Sequence, residues 1–179
     1  MTEDFITNER KAVPRLAALV NLLRTIPPAR FDLSGWAQEV EKSKEVPCGT
    51  TACAVGYAVL HPHFKNLGLK LNADFSGDCR LEGKMEDANS TDNAPDVEEA
   101  FGIDGNAVAF FFDSFSYPKE SETTPKEVAE RIERHMIWQI GLEKWQKAIK
   151  AHRHVKYKQP TIKELQKAGL HLPDDALNR

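Results

Sequence analysis

The sequence predicts a mainly α-helical protein: a single compact domain around one short buried central helix, with a small β-hairpin. Three observations carry this. Apolar residues recur at helical spacing, as in Leu16, Leu19, Val20 and Leu23. Helix-entry signals stand before such stretches: Thr124-Pro125-Lys126-Glu127 and Thr161-Ile162-Lys163-Glu164 each set a Thr cap against a Glu three residues on. Residues 52–60 hold only apolar or small side chains apart from the Tyr57 hydroxyl, so a helix there has no polar face and should be enclosed.

The first helix is expected to run to Ile26, with Pro14 in its first turn and Pro27-Pro28 ending it; Phe5 and Ile6 dock the N-terminus beside it. Asp32 or Ser34 then caps a short helix reaching Val40, with Trp36 as an anchor under the central helix. Thr50 or Thr51 caps the central helix, which stops at His61-Pro62, and its Ala54, Gly56 and Ala58 let neighbours approach. Apolar and polar residues partly alternate around Leu69 and Leu71, turn residues Ser76-Gly77-Asp78 follow, and Cys79 to Glu82 return, which gives the hairpin at about 69–82. Residues 85–94 read as an acidic loop. Pro95 opens a short helix that Gly102 ends, and Asp104 caps the next, which carries Phe110, Phe111 and Phe112. Three consecutive phenylalanines cannot share one helix face, so at least one meets another element or a partner; Phe112 is the candidate partner contact. Val128, Ile132, Met136 and Ile140 share a face of the following helix with His135 at its edge, and Leu142, Trp145 and Ile149 stripe the one after.

At 179 residues the chain fits one domain and buries about 70% of its unfolded surface. Residues 1–140 form the expected helical core, and 141–179 a basic helical extension packed on or beside it. No apolar run approaches the ~18 residues of a membrane span. An acidic start without a signal-peptide pattern, together with three cysteines, predicts a cytoplasmic protein with free thiols. The net charge of −3 hides an asymmetry. Residues 85–113 carry acids and no Lys or Arg, whereas 143–167 are rich in Lys. The two can face each other or present separate surfaces.

Candidate chemistry centres on the thiols. Cys48 lies just before the central helix and Cys53 in its first turns, where the positive helix terminus lowers a thiol pKa. A cysteine-dependent hydrolase would use Cys48 or Cys53 as nucleophile and His135 as base. The segment loosely resembles the Cys-bearing helix start of papain-like and bacteriocin-processing peptidases, with spacing one or two residues off and no strand for the His. The plainer reading makes both thiols small buried hydrophobes. A zinc site would draw on Cys48, Cys53, Cys79, His61 and His63, but about 12 Å of helix separates Cys53 from His61. No metal or other cofactor is expected. The basic extension, with Lys144, Lys147, Lys150 and Arg153 and the interleaved Trp145, His152, His154 and Tyr157, is the candidate nucleic-acid surface. Its plain alternative is a solvated helix face. No Walker loop, dinucleotide glycine fingerprint or zinc-finger spacing is present.

Phe31-Asp32-Leu33 with Trp36, Cys48-Gly49-Thr50-Thr51-Ala52-Cys53 with Gly56, the Phe110-Phe111-Phe112 helix and Thr124-Pro125 opening the 128–132 stretch resemble a family of small bacterial and phage-encoded proteins. The resemblance covers about residues 30 to 140, leaves out the basic segment from Lys144 onward, and implies no activity; it suggests accessory or phage genes, where host-interaction proteins are common. Residues and resemblance together lead to a non-enzymatic binding or regulatory protein acting on a macromolecular partner, with a protein the favoured partner, nucleic acid the alternative and the oligomeric state open.

Overall fold

The structure, a computed structural model, describes residues 5–33, 37–39, 50–73, 79–82, 94–119 and 122–167. It is mainly helical, with seven α-helices among those residues. Helix α1 (Glu9–Leu23) begins at Asn8, whose side-chain oxygen accepts the Lys11 N–H at 3.2 Å. That start lies upstream of the expected one, so Pro14 falls in the second turn rather than the first. Residues 16–20 are fully enclosed, a run without a solvent side. Helices α2 (Ala54–Leu60), α3 (Ala94–Phe101), α5 (Pro125–Ile140) and α6 (Leu142–Ala151) all pack on α1.

The central element is therefore α1, not the stretch at 52–60. Thr50 and Thr51 lie in strand β2 (Thr50–Ala52), which pairs antiparallel with β1 (Ala37–Glu39) in the register Ala37↔Ala52. The short helix expected to reach Val40 is replaced by that strand. Cys53 is the N-cap of α2, which is left with seven residues and a half-buried end at Val59 and Leu60. The β-branched pair Thr50-Thr51 suits a strand better than a helix entry, and a facing chain at 37–39 was available to receive it. Residues Lys70–Ala73 (β3) and Cys79–Glu82 (β4) also pair antiparallel, with Leu71 opposite Leu81. The turn expected at Ser76-Gly77-Asp78 lies outside the described residues, as do Trp36, Cys48 and the acidic loop up to residue 93.

Elsewhere the local signals set the boundaries. Asp104 caps α4 (Gly105–Phe112) by accepting the Ala107 N–H at 2.8 Å. Thr124 and Glu127 exchange backbone hydrogen bonds of 2.7 and 3.2 Å, the capping box of α5. Thr161 and Glu164 do the same for α7 (Ile162–Lys167), at 2.7 and 3.3 Å. The N-terminus docks as expected: Thr7 and Asn8 N–H groups donate to the Gly102 carbonyl, and Asp104 N–H donates to that of Phe5.

The basic segment is tied into this core. Trp145 of α6 is fully buried, and its indole N–H donates to Glu133 of α5 at 3.3 Å. The other Glu133 oxygen holds Arg24, at the end of α1, at 2.6 Å. Asn21 donates to the Ile149 carbonyl at 2.9 Å. Beyond α6, Val155 and Leu165 enter the same core, and Tyr157 N–H donates to Thr25 Oγ1 at 2.7 Å. Among the described residues, no helix is long and apolar enough to cross a membrane.

Candidate functional site

The aromatic run of α4 divides as its spacing requires. Phe111 and Phe112 are buried, Phe112 against Phe101 and Phe111. Phe112, expected at a partner surface, is a core residue, because its side of α4 faces α3. Among the described residues, the exposed phenylalanines are Phe110, at 39%, and Phe115, at 79%, in the 3-10 turn Ser114–Ser116 that follows. That turn is held from within. Asp113 accepts the Phe115 N–H at 2.9 Å, Ser116 Oγ donates to the Ala109 carbonyl at 2.7 Å, and Tyr117 OH donates to the Phe111 carbonyl at 2.8 Å.

Arg131 of α5 joins the two. Its guanidinium donates to the carbonyls of Phe110, at 3.0 Å, and Ser116, at 2.8 Å. It also lies 3.6 Å from the Tyr117 ring centre and 4.8 Å from that of Phe110. Burial pushes the Tyr117 phenol well above its ordinary value, against the pull of the Arg131 charge, so it stays a neutral donor. One turn along α5, His135 stacks on Phe5 at 4.5 Å and 17°, with Phe110, Phe111 and Trp138 around it at 5.4–6.0 Å. Trp138 is 57% exposed, and Leu142, past the break at Gly141, is exposed too. Phe110, Phe115, Trp138 and Leu142 are thus exposed, and Arg131 is fixed against the Phe110 and Tyr117 rings.

The sequence reading missed this face. Its signal was present: Arg131, His135 and Trp138 follow i, i+4, i+7 spacing beside the buried Val128, Ile132 and Met136 stripe. A second stripe of cationic and aromatic side chains next to a complete core stripe has no core left to fill.

The expected catalytic residues are placed differently. Cys48 lies outside the described residues. Cys53 is buried, and its sulfur accepts the Gly56 N–H at 3.4 Å. Desolvation pushes its pKa up to about 11, against the opposing donors of Gly56 and Val55, with the Asp32 charge adding to the rise. The helix terminus fails to lower this thiol because burial outweighs it. His135 is engaged by Phe5 and the α4 rings, not by the sulfur. In native protein at pH 8, with about one part in a thousand as thiolate, Cys53 is expected to resist iodoacetamide over hours while unfolded protein labels at once. Peptide mapping reads this, and native labelling at the rate of a free thiol would reject the buried placement.

The basic candidates sit on α6 and, for Arg153, just past its end. Lys144 pairs with Glu9, whereas Lys147, Lys150 and Arg153 are exposed. A cleft of about 390 Å³ lies between the end of α2 and the segment after α6, with His61, His154, Lys156 and Lys158 on its walls and Glu164 facing them. His61 and His63 are both held below the usual imidazole range, first by desolvation. Among the described residues, no three His, Cys, Asp or Glu side chains converge, as they stand, to hold a metal ion. No family model, curated protein or solved structure matches this chain.

Proposed function

We propose that this is a non-enzymatic binding or regulatory protein that acts through a protein partner, docked on the face of Phe110, Phe115, Arg131 and Trp138. The observation that carries the reading is an arginine fixed between the exposed Phe110 ring and the buried Tyr117 ring, on the helix that also exposes Trp138. Aromatic residues and arginine dominate the centres of protein interfaces, and rings held in place before binding lose little entropy on docking. A solvated face needs neither. The resemblance noted for residues 30–140 is the sole support for a bacterial or phage origin and for a cytoplasmic host protein as the target. The burial of Cys53 supports the non-enzymatic reading over the thiol hydrolase.

The test is capture from bacterial lysate with the wild type and with a Phe115→Ala, Trp138→Ala double variant. Both side chains are largely exposed, so the thermal midpoint should barely move. A protein retained by the wild type should lose affinity by about 30-fold or more in the double variant, as hot-spot truncations do. Retention unchanged in that variant, but lost with Lys147→Ala, Lys150→Ala and Arg153→Ala in a salt-sensitive way, would move the site to α6 and the partner to nucleic acid.

A further inference from the structure

Two His-x-His pairs stand far apart in the chain, His61-Pro62-His63 and His152-Arg153-His154, and the fold brings them together. His63, in the 3-10 turn Pro62–Phe64 after α2, has its ring centre 5.7 Å from that of His152, 5.6 Å from that of His154 and 6.5 Å from that of His61. The rings of His152 and His154 are 6.4 Å apart. Hydrogen bonds fix the state of His61. Its Nε2 lies 3.1 Å from the Lys156 carbonyl, which only accepts, so Nε2 carries the proton. Its Nδ1 accepts the His63 N–H at 3.1 Å and so keeps its lone pair. Neutral His61 therefore ties the turn after α2 to the chain beyond α6.

We propose that these four histidines form an acid-sensitive latch, which holds residues 154–158 on the core while neutral and lets them open when protonated. Two effects drive the opening. A proton on His61 Nδ1 sets one donor against another, the His63 N–H, and that bond is lost. Charge on His63 also meets charge on His61, His152 and His154, whose ring centres all lie within 6.5 Å of its own. The other charges nearby do not cancel this. Lys156 and Lys158 line the cleft beside His61 and add to the positive side, and Glu164 faces them from α7. Hydrogen bonds from Thr161 hold the Glu164 carboxyl below the usual carboxylate range, so it stays ionised while the imidazoles titrate. Glu164 and the Lys156 carbonyl favour a charged His61, but desolvation outweighs them. For His63 desolvation is again the largest effect, followed by His152, His154 and His61.

The sign follows from that lowering. With residues 154–158 open, the rings take up protons near their ordinary value of 6.5, and in the closed form only at lower pH. The closed form is fully favoured above that value and loses ground as pH falls through it toward the lowered values. What opens is a cover over the end of α1. Val155 leaves the core, and Tyr157 leaves both Thr25 and the Tyr57 ring, which it meets edge-on at 5.7 Å.

Amide hydrogen exchange of the intact protein, corrected for the intrinsic effect of pH, tests the latch between about pH 7.5 and about pH 5.5. Protection of the Val155 and Tyr157 N–H groups should fall by about threefold or more on acidification, while that of Ile132, inside α5, stays constant. In a His61→Gln, His63→Gln double variant, whose glutamine at 61 can still donate to the Lys156 carbonyl but takes no proton, most of that fall should vanish. Constant protection at Val155 and Tyr157, an equal loss at Ile132, or a variant that keeps the full pH dependence would overturn the latch. Ring titration of the wild type by nuclear magnetic resonance keeps the result readable if the variant folds poorly. His61 and His63 should titrate below 6.5, and titration of both at or above 6.5 would also overturn it.

Discussion

Trp145→Ala is expected to remove about 3–5 kcal/mol of stability, the cost of truncating a fully enclosed tryptophan. Two things are lost together. A cavity opens where α6 meets α1 and α5, and the Glu133 carboxylate loses the indole N–H. For a chain of this length that is about 6–20 °C in the melting midpoint, read by circular dichroism at 222 nm. Trp138→Ala, the exposed tryptophan one helix earlier, serves as the comparison and should move the midpoint little. If residues from 141 onward were an appendage, the two substitutions would behave alike.

Gly102→Ala is the second large effect, at about 2–5 kcal/mol. Gly102 has φ +70°, where an L side chain costs about 1–2 kcal/mol. A Cβ there would also stand 2.7 Å from the Asn8 carbonyl oxygen and 2.9 Å from Lys11 Cβ. The oxygen cannot retreat cheaply, because it accepts the Lys11 and Ala12 N–H groups that open α1. Overpacking of this kind adds about 1–3 kcal/mol. Gly105→Ala is the control. Its Cβ would meet only the end of the Glu98 side chain at 2.8 Å, which can swing away, and the helix gains from alanine. Urea unfolding should show the first variant strongly destabilised and the second unchanged or slightly stabilised. Equal losses would mean that the Asn8 contact is not the cause.

How much could be read from residue order differs from place to place. The caps at Asp104, Thr124 and Thr161 were legible because a polar side chain and its backbone target lie three residues apart. The split of the phenylalanine run followed from equally local geometry, but not which ring it exposes, and Phe5 docks on residue 104, about 100 positions along the chain. The identity of the central helix was not legible. Both 16–20 and 52–60 are apolar, and what separates them is how many neighbours arrive from distant sequence. Thr50-Thr51 became a strand because residues 37–39 came to pair with it, a partner that no local window contains. The aromatic face was missed because only the fold shows which of two adjacent stripes of α5 the core takes up, and the meeting of His63 with His152 and His154 because it comes only through the return of the chain after α6.

That return has a consequence for biosynthesis. The bonds that cover α1 join residues very distant in sequence: Arg24 with Glu133, 109 positions apart, Asn21 with Ile149, 128 apart, and Thr25 with Tyr157, 132 apart. While the chain grows on a ribosome, α1 emerges well before its lid, which lies more than 100 residues downstream. Such a chain folds late and slowly, and a product cut short before Pro125 lacks α5 and α6 and leaves the side of α1 that they cover bare, a ready substrate for chaperones and proteases.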